Sequence, residues 1–445
     1  MRQRRSPGVT ESGRRTVLEN WAHRAHRTEI GGITVRGFTR IAVGVVTVAA
    51  LATPLLATTA RAQTDTTSSS KDTTLKLITA FEKVGESPLA QPQFDDGVQM
   101  AIKDLKKKGI TVDYERIPGS GVAVAPAETS FLAAEAKNPD VWMGLTASQL
   151  FAISPKVVSS GIPTFAFASP GAGIRSGSQG GDNIFLVRPL NDSTAQKLTE
   201  YACKEQKLKK IGILAVNLPF GTDSAELAKK EAAKYKGCEI VTTQTNGFSD
   251  TDLTQQVLAF KDAGVDGIVA FDYPNPFGVF VKQMQDNGLT IPILGGASLG
   301  LAVDSKAITD ASKLVIIDDC VPAVEKSKTA KTFVKAYEKE FGYTPNYVSG
   351  QAYDAVTLAA EAVKKVGHDP AAIQKAIAGT TQSPVCGFRN DKNNVLGSSV
   401  TVYKYNADGS RKLLKKYPLA YIPAAEVVGA ATTTTTAPPT TTVAP

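Results

Sequence analysis

Residues 211–243 read IGILAVNLPFGTDSAELAKKEAAKYKGCEIVTT. The stretch opens on an apolar strand candidate, IGILAV from Ile211, and closes on a β-branched one, EIVTT from Glu239, with starts 28 residues apart. A strand, a crossover helix and a parallel strand need about thirty residues. The pattern continues with GIVAF from Gly267 and IPILG from Ile291, at intervals of 28 and 24. It also runs upstream as a separate series, LKLITA from Leu75, TVDYERI from Thr111, VWMGL from Val141 and PTFAFA from Pro163, at intervals of 36, 30 and 22. Strands this apolar are covered on both faces. Helical stripes fill the gaps: Val98, Ala101, Ile102 and Leu105 make one, and Phe333, Tyr337 and Phe341 another. Two such series predict an α/β protein of two doubly wound parallel-sheet lobes rather than one long sheet.

Between the series, FLVRP at 185–189 is an extended crossing segment, with helix-capping Asn191, Asp192 and Ser193 just after it. Further crossings are expected near 318–321 and 390–398, giving a three-strand hinge. Lobe one is then 73–188 with 319–395, and lobe two is 189–318 with 396–423. Three crossings permit bending while keeping the lobes aligned. Ligands meet parallel sheets at the carboxyl ends of strands, so two facing lobes make one cleft.

The 445 residues fit two or three domains of roughly 150 residues each. The formal charge of +8 is concentrated: residues 1–62 hold ten Arg and three Glu of the chain's 50 basic and 42 acidic residues, leaving 40 against 39 in the remainder. A balanced body gives no reason to expect a nucleic-acid partner. Of the three histidines only His368 lies beyond the leader, which disfavours His-rich metal sites and His-dependent triads, and no Gly-Lys pair exists for a P-loop. No metal or cofactor is expected.

Arg36 and Arg40 precede the apolar run 41–56, which is followed by Ala60-Arg61-Ala62. A positive flank, a hydrophobic stretch and an A-x-A site predict an export signal cleaved after Ala62, an uncleaved anchor being the alternative. The first cysteine is Cys203, which argues against a lipoprotein. Residues 63–72 are a polar linker, and 424–445 a disordered tail, Thr/Pro-rich from 431. An exported, periplasmic or cell-surface location follows. Four cysteines at separations of 35, 82 and 66, with no C-x-x-C, then favour disulfides. Three pairings are open. Joining sequence neighbours gives Cys203–Cys238 and Cys320–Cys386, the expected pairing, with four buried thiols as the alternative.

Several local patterns share one order. FDDGVQMA occupies 94–101, Gly161-Ile162-Pro163 leads to Ala168-Ser169-Pro170, Pro219-Phe220-Gly221 follows the first strand of the second series, and FGYTP at 341–345 precedes AYDA at 352–355. Together they resemble the type 1 periplasmic binding proteins of the branched-chain amino-acid (Leu/Ile/Val) kind, receptors of ABC importers, over roughly 74–423. The resemblance implies a monomeric Venus-flytrap that closes on a small-molecule solute and docks on a membrane permease. It also implies site residues. Thr146 and Ser148, and Ala168 with Ser169, match the strand ends that hold a ligand carboxylate. Ser148 and Ser169 equally suit helix N-caps, and the two roles are compatible. Phe220 and Tyr273 match the aromatics contributed by lobe two, with packing at the core or rim as the plainer reading. Asp272 precedes Tyr273 and is a candidate acceptor for a cationic group.

Two positions depart from the pattern. Pro170 replaces a frequent Thr and has no N–H to donate. Ala297, in Gly295-Gly296-Ala297-Ser298, stands where amino-acid receptors place a carboxylate for the ligand's ammonium. Amino acids, amides and related carboxylates, aromatic acids included, therefore stay open as solutes. Glu82 and Glu86 are further contact candidates in a loop that reads more simply as solvated. An enzyme is disfavoured: Gly171-Ala172-Gly173 reaches Ser176, and Gly119-Ser120-Gly121 reaches Val124, where a dinucleotide fingerprint needs Gly or Ala. A sensor or wall-associated receptor without a transporter is the remaining alternative.

Overall fold

A computed structural model describes residues 73–81, 89–119, 124–168, 181–391, 394–397 and 399–419, apart from the side chains of Val124, Ala147, Ser148, Phe151 and Asn191. The predicted signal, linker and tail lie outside the described residues, as do Ser169, Pro170, Glu82, Glu86 and the side chain of Ser148.

All eight predicted strands form, in two sheets. The first is parallel throughout, with spatial order β2-β1-β3-β4-β5, from β1 (Leu75–Thr79), β2 (Val112–Arg116), β3 (Val141–Gly144), β4 (Thr164–Ala166) and β5 (Ile184–Leu186). Its crossover helices are α1 (Ala90–Lys107), α2 (Val124–Glu135) and α3 (Ala147–Ser160). Next come α4 (Asn191–Lys204), β6 (Lys210–Val216), α5 (Pro219–Ala232), β7 (Glu239–Asn246), α6 (Thr254–Asp262), β8 (Gly267–Phe271), α7 (Pro274–Asp286), β9 (Ile293–Gly295), α8 (Ala297–Asp304) and β10 (Leu314–Asp318). The chain continues through α9 (Lys328–Phe341), α10 (Tyr347–Val366), α11 (Pro370–Ala378) and a short hairpin of β11 (Arg389–Asn390) with β12 (Leu396–Gly397), and ends in β13 (Ser399–Tyr405) and β14 (Arg411–Pro418). The second sheet has the order β14-β13-β10-β9-β8-β6-β7.

Alternating burial explains the double winding. In β1, Leu75 and Leu77 enter one apolar cluster and Ile78 enters the cluster on the opposite face. In β8, Ile268 and Ala270 go one way, Val269 and Phe271 the other. Successive strand side chains point to opposite faces, so both faces need cover.

Two details depart from the sequence expectation. Phe185 and Leu186, expected at the crossing, belong to β5 instead: Phe185 packs on one face, Ile184 and Leu186 on the other, so the segment pairs with β4 and the crossing begins at Val187. The second sheet is also not wholly parallel, because β13 runs antiparallel to β10 and to β14. Only five residues separate β13 from β14, room for a turn at Gly409 (φ 82°) but not for a crossover helix.

After visiting the second sheet the chain returns to the first. Val348, Ala352 and Val356 of α10 share a buried cluster with Phe94, Val98 and Ala101 of α1. Gly97 makes this approach possible: a methyl there would collide with the Ser349 carbonyl and lie 2.9 Å from the Ser349 Cα. The AYDA segment has a structural task as well. The carboxylate of Asp354, fully buried, accepts the N–H groups of Val385 (2.9 Å) and Cys386 (2.7 Å) and the Ser383 hydroxyl (2.5 Å). That loop carries the Cys320–Cys386 disulfide, and Cys203–Cys238 ties the end of α4 to the start of β7, which is the pairing expected from sequence.

Candidate functional site

The carboxyl ends of both sheets open on one cleft, whose empty space, open solvent included, is about 640 Å³. From the first sheet, Thr146 follows β3 while Phe167 and Ala168 follow β4. From the second, Phe220 follows β6, Tyr273 follows β8 and Ser298 follows β9.

Thr146 caps α3. Leu145 before it is buried and holds φ at 68°, a left-handed conformation that costs a β- or γ-branched residue on the order of 1 kcal/mol and is found disproportionately at binding sites. The Thr146 N–H donates to Gln149 Oε1 at 2.8 Å. The Gln149 N–H approaches the Thr146 hydroxyl to close a capping box, and no full hydrogen bond reaches this buried oxygen among the described residues. A helix N-terminus with such an oxygen beside it favours a ligand that brings its own polar group.

Aromatic rings make the walls. Phe81 stacks on Phe94 at a centroid distance of 4.5 Å, and Phe167 meets both edge-on. Opposite, Tyr273 packs at 5.8 Å from Phe220 and edge-on against Phe248 at 4.9 Å. Tyr273 is also the N-cap residue of α7, and Phe220 sits in the first turn of α5, where Pro219 starts the helix. The cleft therefore pairs apolar faces with helix starts.

Among the lining residues that escaped the sequence reading, three form a connected polar group. Arg188, on the first crossing, donates to Asp319 Oδ1 through Nε (3.2 Å) and Nη2 (2.9 Å), with its guanidinium 4.5 Å from the Tyr347 ring centroid. Gln351 of α10 donates to the other Asp319 oxygen at 2.5 Å. Its own Oε1 is buried without a hydrogen-bond partner among the described residues. Arg188, Tyr347 and Gln351 all reach the cleft. An arginine inside the apolar FLVRP segment was the only local signal available for any of them.

A side pocket adjoins the cleft and shares Arg188, Phe220 and Ser298 with it. Asp272 and Ala297 line it. Asp272 is 1% exposed, and burial pushes its carboxyl up to about 7 against the lowering effect of the Tyr273 N–H and the Asn246 amide. Ala297 opens α8 and belongs to the apolar cluster that includes Phe81, Phe94 and Phe167. Of the sequence-predicted site residues, Thr146, Ala168, Phe220 and Tyr273 thus meet in the main cleft, and Asp272 with Ala297 in its side pocket. Among the described residues no helix is long and apolar enough to cross a membrane.

Similar proteins share this architecture. Leu/Ile/Val-binding protein homolog 7 of Brucella abortus is 24% identical over 77% of this chain and 91% of its own. The branched-chain amino acid transporter substrate-binding protein LivJ from Streptococcus pneumoniae, solved with isoleucine, superposes with a TM-score of 0.66 at 22% identity, over 78% of this chain and 99% of its own. A solute-binding protein of an ABC transporter from R. palustris, solved with benzoate, gives 0.68 at 20% identity, over 78% and 97%. With residues 74–410 matching its profile, the chain belongs to the periplasmic binding protein family.

Proposed function

We propose that the chain is the exported receptor of an ABC importer, holding a small organic solute (an amino acid, an amide or a related carboxylate) between two lobes and presenting it to a membrane permease. The lobes comprise 73–188 with 319–395 and 189–318 with 396–423, and the hinge consists of the segments that cross between them. The observation that carries this reading is the cleft itself, where Thr146 from the first sheet faces the same space as Phe220 and Tyr273 from the second. The ligands of similar proteins, isoleucine in one and benzoate in another, are small carboxylates with an apolar body, and the cleft offers aromatic walls for such a body. Closing the lobes around it excludes water and strengthens each polar contact, which makes micromolar binding, about −8 kcal/mol, attainable. Closure also marks the loaded state for a permease by population shift. The mature protein begins at Gln63 and acts as a monomer.

The experiment is native mass spectrometry of the freshly purified protein, followed by a thermal-shift screen of amino acids, amides and organic acids. A copurifying small molecule, or a rise in Tm with one chemical series, is expected. Silence in both measurements contradicts the proposal.

A further inference from the structure

The α9 helix turns a basic face to solvent. Ala330, Phe333 and Tyr337 hold its inner side, with the Phe333 ring 4.9 Å from that of Tyr353 and the Tyr337 hydroxyl donating to Gln93 at 3.2 Å. Lys328, Lys331, Lys335 and Lys339 follow one another at steps of three, four and four, which groups them on the opposite side, and all four are exposed. Lys326 precedes the helix and, with Lys328, Lys331, Thr332 and Lys335, lines an open groove that shares no residue with the cleft or its side pocket. The acids of this stretch are engaged elsewhere. Glu325 pairs with Lys416 at 2.8 Å, Glu338 accepts the Thr344 hydroxyl at 2.8 Å and Glu340 pairs with Lys103. The five lysines have no ion-pair partner among the described residues. Like charges three and four residues apart repel, and no acidic residue in the first turn offsets the helix dipole beside Lys328 and Lys331.

We infer that the lysine face of α9 adsorbs to the anionic headgroups of a lipid bilayer, seating the protein beside a membrane whatever its cleft holds. Charge complementarity decides the partner. Each lysine close to a surface of anionic headgroups raises binding about fivefold. Protein interfaces are instead enriched in aromatic residues and Arg and depleted of Lys, and this face offers neither aromatic nor Arg. A lysine ammonium is a compact point charge on a flexible stem, suited to mobile phosphates rather than to one fixed bidentate partner. The Thr332 hydroxyl is committed to the Lys328 carbonyl at 2.9 Å, so the groove holds no preset polar receptor for a single small anion. The apolar side of α9 is spent on the core, so contact is made at headgroup level without insertion. Beyond residue 62 the chain has 40 basic and 39 acidic residues, so the attraction belongs to this face and not to net charge.

The test is vesicle flotation of the mature protein, residues 63–445, which lacks the arginine-rich leader. The probes are vesicles of phosphatidylcholine alone and of phosphatidylcholine with phosphatidylglycerol. The protein is expected to float with the anionic vesicles at low salt, to ignore the neutral ones, and to be released as salt rises toward about 0.5 M. A variant carrying Lys328→Gln, Lys331→Gln, Lys335→Gln and Lys339→Gln is expected to lose about a hundredfold or more of this binding, at about fivefold per lysine. Its Tm is expected to match or exceed that of wild type, because repulsion has been removed. A control with the same change of charge at exposed positions of the second sheet's helices and loops, Lys230→Gln, Lys236→Gln, Lys282→Gln and Lys313→Gln, is expected to float like wild type. The inference is overturned if wild type does not float with anionic vesicles, if the α9 variant floats undiminished, or if the control loses as much. Binding of soluble polyphosphate or of an acidic protein through α9 without vesicle binding also overturns it, as does a clear fall in Tm of the α9 variant, which would make these lysines part of the fold.

Discussion

Arg188 and Asp319 join the first crossing to the second: the guanidinium lies 2.9 Å from a carboxylate oxygen whose residue is only 5% exposed. The same carboxylate accepts Gln351 of α10, so one acidic group fixes two crossings and a helix of the first sheet at the floor of the cleft.

Removing one member of a buried pair leaves an uncompensated charge, which costs about 3–5 kcal/mol. Asp319→Asn is therefore expected to lower the unfolding free energy in urea by about 3 kcal/mol, and Arg188→Leu with Asp319→Leu to cost less than Asp319→Asn alone. A value for Asp319→Asn within about 0.5 kcal/mol of wild type would show that the pair contributes nothing to stability.

Asp272 makes the empty protein pH-sensitive. Its folded-state pKa of about 7 lies above the ordinary 3.8, so the native state retains a proton that the unfolded chain has released. The stability linked to this group is complete below about pH 4 and is lost as pH rises through 7. Asp250 adds to the upward push, while the Tyr273 N–H and Asn246 oppose it. Asp318 is also raised, by burial and then by Asp319, so the wild-type profile alone is ambiguous and the difference between proteins is informative. Without ligand, Asp272→Asn should melt above wild type at pH 8, and the gap should narrow toward pH 4. A gap that is constant across this range would contradict a raised Asp272 carboxyl.

The disulfides span 35 and 66 residues, separations for which chain-entropy arguments give about 4 kcal/mol each. Non-reducing peptide mapping should recover Cys203–Cys238 and Cys320–Cys386, and Cys320→Ser with Cys386→Ser should lower Tm by several degrees. The second bond packs on Gly350 of α10, beside the cleft, so its loss should weaken solute binding as well.

Gly97→Ala adds one methyl against the Ser349 backbone, which has no flexible end to move aside. Overpacking of this kind costs about 1–3 kcal/mol. Equilibrium denaturation should register the loss, and an unchanged midpoint would mean that α1 and α10 sit farther apart than described.

Much of the frame was legible in the sequence because buried parallel strands carry a local signal. IGILAV and GIVAF are apolar on both faces, and their spacing implies the helices between them. Thr146, Phe220 and Tyr273 were marked by the resemblance, and each follows a strand of its sheet and lines the cleft. Residues 399–418 were not assigned as strands: their hairpin pairs with β10 from across the intervening α9–α11 region, and no crossover spacing announces it. Arg188, Tyr347 and Gln351 were missed for a related reason. They come from a crossing and from a helix that returns to the first sheet only after the second has formed, so their meeting is tertiary. Ala297 was noticed as a departure, and its place in the apolar cluster with Phe81, Phe94 and Phe167 is a tertiary fact that no local signal carried.

Solute capture between the two sheets is tested most directly by native mass spectrometry of the purified protein beside its Thr146→Val and Tyr273→Ala variants, one from each wall. Wild type should carry a small organic molecule that both folded variants lose or hold more weakly. A molecule retained equally by all three, or seated on one wall alone, would contradict a site built by both.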